Sequence, residues 1–168
     1  MNDCNIATAL HASAARLGDQ VALTALDGGR WHQWSFAQLA ANSNGFAAAL
    51  AQRGVQRGDR VMLMVRPSME FVCLTFALFQ LGAVVILIDP GMGYKNLLRC
   101  IGSVRPDILV GISPAIWFSR LFRRPFASVR CRIRVGRGLP GSGNGLQCRH
   151  CPASSRCPPR RSGGTHRP

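Results

Sequence analysis

Apolar residues recur along the first two-thirds of the chain with two periods, one helical and one strand-like, and their alternation sets the expected fold. Ile6, Leu10, Ser13 and Leu17 form a helical stripe behind Asn5, a residue suited to cap a helix. The run from Val21 to Leu26 meets Asp27-Gly28-Gly29, and the chain returns through Trp31-His32-Gln33-Trp34, which predicts a β-hairpin. Ser35 followed by Gln38 is a capping box. It opens a helix with Phe36, Leu39, Ala40, Phe46, Ala47 and Leu50 on one face, closed by Arg53 and Gly54.

Beyond the turn Gly58-Asp59, Val61–Val65 is an apolar run of strand length, broken by Pro67 and Ser68. Glu70–Leu81 reads as a helix ended by Gly82, and Val84–Ile88 as a β-branched strand stopped by Asp89-Pro90-Gly91. A short helix over about Lys95–Ser103, Pro106, and a further apolar strand at Ile108–Ile112 complete the series. Buried strands alternating with helices predict an α/β fold: a partial parallel sheet with flanking helices, preceded by a β-hairpin. Phe71–Ile88 is uncharged and 18 residues long, the length of a membrane span. Gln80-Leu81-Gly82 interrupts it where a helix ends, however, so a buried helix–strand pair is expected instead.

Charge divides the chain sharply. All seven acidic residues, from Asp3 to Asp107, precede residue 119. Residues 1–118 hold nine of the 21 basic residues and net +2; residues 119–168 hold the other twelve, all Arg, and net +12. The overall +14 therefore averages two unlike segments. From Arg123 onward Arg, Gly, Pro, Ser and Cys dominate without a sustained apolar period, a composition that does not offset the entropy of ordering. The expected division is an incomplete synthetase-like unit over 1–118 and a basic, low-order tail over 119–168. Met1–Asp19 shows no secretory signal, with Asp3 early and apolar and polar residues alternating, so a cytoplasmic location is expected.

The order of elements and several short words resemble the opening of the adenylate-forming superfamily of acyl-CoA synthetases, luciferases and peptide-synthetase adenylation domains. Trp34-Ser35-Phe36-Ala37-Gln38-Leu39 is similar to the family's passage from hairpin to helix. Leu50-Ala51-Gln52-Arg53-Gly54-Val55-Gln56-Arg57-Gly58-Asp59-Arg60-Val61 resembles its helix–Gly-Val–Gly-Asp-Arg-Val–strand stretch. Leu74–Val84, Ile88–Gly93 and Asn96-Leu97-Leu98 look like the branch of bacterial olefin-pathway β-lactone synthetases and similar fatty-acid ligases. The resemblance runs from about Ile6 to Ile116.

It implies an enzyme that activates a carboxylic acid with ATP and Mg²⁺, giving an acyl-adenylate and pyrophosphate, followed by thioester or β-lactone formation. In the β-lactone branch the activated carboxylate closes onto the substrate's own 3-hydroxyl. The family's Ser/Thr/Gly-rich phosphate loop ending in Pro-Lys-Gly, its aromatic adenine-site motif and its late catalytic lysine are not recognisable here. Ser162-Gly163-Gly164-Thr165 is a vague echo of that loop, with His166-Arg167-Pro168 where lysine belongs. No residue is therefore assigned a catalytic, cofactor-binding or metal-ligating role. The chain alone is expected to be inactive and to bind ATP and Mg²⁺ poorly.

Other clusters admit two readings. Gly91-Met92-Gly93 with Lys95, the sole lysine, sits where a Gly-rich phosphate turn would, but Asn96 replaces the third glycine and a chain-redirecting turn explains the same residues. Cys148-Arg149-His150-Cys151 with Cys131, Cys157 and His166 offers zinc ligands, yet the spacing fits no ordinary finger. Cys73 and Cys100, among apolar neighbours, read as packing residues. The Arg-rich tail suits nucleic acid or another anionic partner. Its lack of lysine and wealth of Pro, Gly, Ser and Cys match GC-rich coding sequence read out of frame better than an evolved basic arm, so the tail is expected to be frameshifted and no specific nucleic-acid partner is expected.

Overall fold

The computed structural model describes residues 5–27, 29–88, 90–135 and 147–148. Helix α1 (Ile6–Leu17) leads into the hairpin β1 (Val21–Asp27) and β2 (Arg30–Ser35), then α2 (Phe36–Gln52) and β3 (Arg60–Met64). There follow α3 (Met69–Gln80), β4 (Val84–Leu87), a 3-10 turn at Pro90–Met92, α4 (Tyr94–Val104) and β5 (Ile108–Gly111). Helix α5 (Ser113–Leu121), β6 (Cys131–Arg134) and β7 (Gln147–Cys148) complete the described elements.

The expected caps form. Asn5 accepts from the Ala7 amide at 3.0 Å, while its own amide donates to the Phe79 carbonyl at 2.7 Å, tying the start of α1 to the end of α3. The Ser35 hydroxyl accepts from the Gln38 amide at 3.3 Å and Gln38 accepts from the Ser35 amide at 3.0 Å, so both halves of the capping box are made.

The main sheet has the order β4-β3-β5-β6-β7, with β3–β4, β3–β5 and β5–β6 parallel and β7 antiparallel to β6. The three apolar runs read from the sequence thus lie side by side in one parallel sheet. From β3 the chain moves outward to β4, then returns across to β5 and on to β6. Crossovers of one hand place helices on opposite faces when the direction reverses. That is the arrangement seen: alternate residues Val61, Leu63, Ile108, Val110 and Ile133 pack with α1, α2 and α3, and Met62, Ile86 and Leu109 pack with α4 and α5. Helix α3 is sandwiched so closely that none of its residues is fully exposed. The uncharged Phe71–Ile88 stretch is therefore a buried helix and strand, and no helix of the described residues is long and apolar enough to cross a membrane.

The sheet also extends further than the apolar runs indicate. Cys131, Ile133 and Val135 alternate with Arg132 and Arg134 and are buried, so period-2 patterning persists inside the Arg-rich segment. β6 pairs along its length with β5, Ile108 opposite Cys131 and Gly111 opposite Arg134. The alternation escapes a reading of composition because both intervening positions are arginine, and the run is only five residues long.

Candidate functional site

In an open parallel sheet the carboxyl ends of the strands and the helix N-termini that follow them share one edge, and ligands bind where the connections part to opposite faces. Here that point lies between β3 and β5, whose following helices, α3 and α5, cover opposite faces. Backbone hydrogen bonds tie the end of β5 to β3 on one side and to β6 on the other. The Ile112 amide donates to the Met64 carbonyl at 3.2 Å and the Val135 amide donates to the Gly111 carbonyl at 2.9 Å. A Cβ at Gly111 would meet the Met64 carbonyl and the Ala115 Cβ, both at 3.1 Å, so any other residue would push β3 or α5 back by a few tenths of an ångström.

Three helix N-termini gather along this edge. Ser68 caps α3 by accepting from the Phe71 amide at 3.3 Å, whereas α4 and α5 start without a side-chain cap. Arg66 and Lys95 add positive charge beside them. Uncapped helix amides and cations suit an anion such as a phosphate. The Gly91-Met92-Gly93 segment itself is a turn: Gly93 has φ +82°, a left-handed conformation that precedes α4, and Asn96 donates back to the Met92 carbonyl at 3.2 Å.

The opposite edge is structural. Asp59, from the Gly-Asp-Arg-Val word, is 2% exposed; its carboxylate accepts from the Gln56 amide at 2.8 Å and from Arg130 Nη2 at 2.6 Å. Asp107 accepts from the Arg60 amide at 2.9 Å, and the Arg130 amide donates to the Asp107 carbonyl at 2.9 Å. An arginine from the acid-free segment after residue 119 is thus the counter-ion of a buried acid in the first segment. This partnership between residues 71 positions apart is invisible in a sequence read locally.

Two concavities lie elsewhere. One, of about 430 Å³, is lined by Asn5, Ile6, Arg57 and residues 79–83 beside the α1–α3 contact. The other, of about 460 Å³, has Arg120, Arg123 and Arg132 around Ser119, Phe126, Ala127 and Val129. Arg132 donates through Nε to the Ser119 hydroxyl at 3.0 Å, and Ser119 donates to the Ile116 carbonyl at 2.7 Å. Burial, and then repulsion by Arg120 and Arg123, hold the Arg132 guanidinium below its ordinary value.

The cysteines of the first segment behave as packing residues. Cys73 is fully buried and, chiefly through desolvation, its thiol is pushed up to about 12, with the nearby Glu70 adding to the rise. Such a thiol is no nucleophile near neutral pH. Cys100 is a free, half-buried cysteine on α4. Of the proposed zinc set, Cys131 is buried and disulfide-bonded, which removes the thiolate a metal would need. Cys151, Cys157 and His166, like Ser162–Thr165, lie outside the described residues, and Cys148 is described only as part of β7. Among the described residues no three His, Cys, Asp or Glu side chains converge on a point.

A doubly wound sheet entered through a hairpin and a capped helix, with an anion-suited edge at its reversal, defines the class, and the chain belongs to the AMP-binding enzyme family, whose profile matches residues 10–132. More narrowly, it is 41% identical over 128 residues to the olefin β-lactone synthetase of Xanthomonas campestris, covering 71% of this chain and 23% of that one. It is 39% identical over 151 residues to the olefin β-lactone synthetase of Stenotrophomonas maltophilia, covering 85% and 27%. Among solved structures, a Mycobacterium tuberculosis fatty acyl CoA synthetase superposes with a TM-score of 0.63 at 26% identity, over 74% of this chain and 25% of that one. A fatty acid AMP ligase from Legionella pneumophila shares the fold, with a TM-score of 0.59 at 22% identity over 69% and 21%. The chain spans about a quarter of the length of the curated β-lactone synthetases it matches.

Proposed function

We propose that this chain is the N-terminal portion of an adenylate-forming ligase that activates a fatty or 3-hydroxy fatty acid with ATP and Mg²⁺, for later thioester or β-lactone formation. The observation that carries the reading is the identity of about 40% to two olefin β-lactone synthetases, over a region that the family profile covers from residue 10 to 132. The anion-suited edge between β3 and β5 supplies part of a phosphate environment. ATP and Mg²⁺ would need donors and carboxylates beyond those this edge offers, so no residue here is given a catalytic step.

The residues of this chain do not adenylate by themselves. A phosphate loop and a catalytic lysine supply the charge stabilisation that is usually the largest catalytic contribution, and neither motif is recognisable. Acid-dependent ATP–pyrophosphate exchange, assayed on the purified chain with plain and 3-hydroxy fatty acids, is expected to stay at background. Exchange above background would overturn the claim of inactivity.

We further propose that the sequence beyond Val135 is read out of frame. This reading sets the junction later than the expected 118/119, and what supports it is that α5, β6 and the Asp59–Arg130 pair join the described sheet. The coding DNA read in another frame after codon 135 should give acids, lysine and a Ser/Thr/Gly-rich loop closing on Pro-Lys-Gly. Immediate stops in both alternative frames would instead favour a genuine basic tail, and with it the nucleic-acid reading.

A further inference from the structure

We draw no further inference here: the strongest candidate, the concavity between α5 and β6 where Arg120 and Arg123 stand beside the hydrogen-bonded Ser119–Arg132 pair, carries nothing because nothing in the structure shows what covers it.

Discussion

The two faces of the parallel sheet are covered by helices of opposite character. On one face α1, α2 and α3 carry a single cation, Arg16, and a single acid, Glu70, and bury Phe46, Leu50, Leu74 and Leu78. On the other, α4 and α5 have only cations and present Trp117 and Leu121 outward while burying a thinner set around Leu97, Ile101 and Ile116. Both layers satisfy the same strands, through alternate residues of β3 and β5. A helix that must be covered on all sides is uniformly apolar, whereas one at a boundary needs only a stripe and leaves its outer face free to carry charge.

The sharpest way to break this contrast is at the sheet edge that joins the layers. Asp59→Asn removes the carboxylate charge that faces Arg130, 12% exposed at its side chain, and is expected to cost about 3–5 kcal/mol in urea unfolding. Replacing both partners, Asp59→Asn with Arg130→Met, should recover most of that loss. A double variant as unstable as the single one would show that the pair is not the source.

Core truncation sharpens the comparison next. Leu78→Ala under α3 and Ile101→Ala under α4, both at fully buried positions, should each cost about 2–5 kcal/mol, with a single transition. A two-step transition in which each variant lowers only one step would mean that the layers unfold separately.

A pH series probes the apolar layer alone. Because the folded-state value of Cys73 is raised, to about 12 from an ordinary 9.0, the neutral thiol's contribution is intact below about 9 and lost as pH climbs toward 12. Stability should fall in that window with an added slope of about 1.4 kcal/mol per pH unit, and Cys73→Ala should remove the added slope. An unchanged alkaline slope in Cys73→Ala would place the sensitivity elsewhere. The smallest effect is expected at the hairpin-to-helix junction: Ser35→Ala removes half of the capping box and should cost about 1 kcal/mol, read by thermal unfolding. A loss well above that would show that Ser35 does more than cap α2.

Much of the fold is legible residue by residue. The α1 stripe, the Asp27-Gly28-Gly29 turn signal, the Ser35–Gln38 box and the runs at 61–65, 84–88 and 108–112 each specify their element through local propensity and period. The hydrophobic runs are continuous because those strands are covered on both faces, which is also why they read as parallel. β6 is less legible, since five alternating residues within an arginine-rich stretch carry little signal until β5 offers them an edge. The candidate site is less legible still. Gly111 looks like any glycine until the fold sets the Met64 carbonyl and Ala115 where a Cβ would meet them at 3.1 Å.

By itself, then, the sequence determined the family, the order and type of the elements from α1 to β5, and the chain's division by charge. These are written in spacing and composition, which need no partner to act. The tertiary structure alone decided that Arg130 neutralises Asp59 across the sheet edge and that β6 completes four parallel strands. Those outcomes depend on which distant segments are brought within a few ångströms. Desolvation and ion pairing fall off so steeply with distance that their consequences exist only once the sheet has closed.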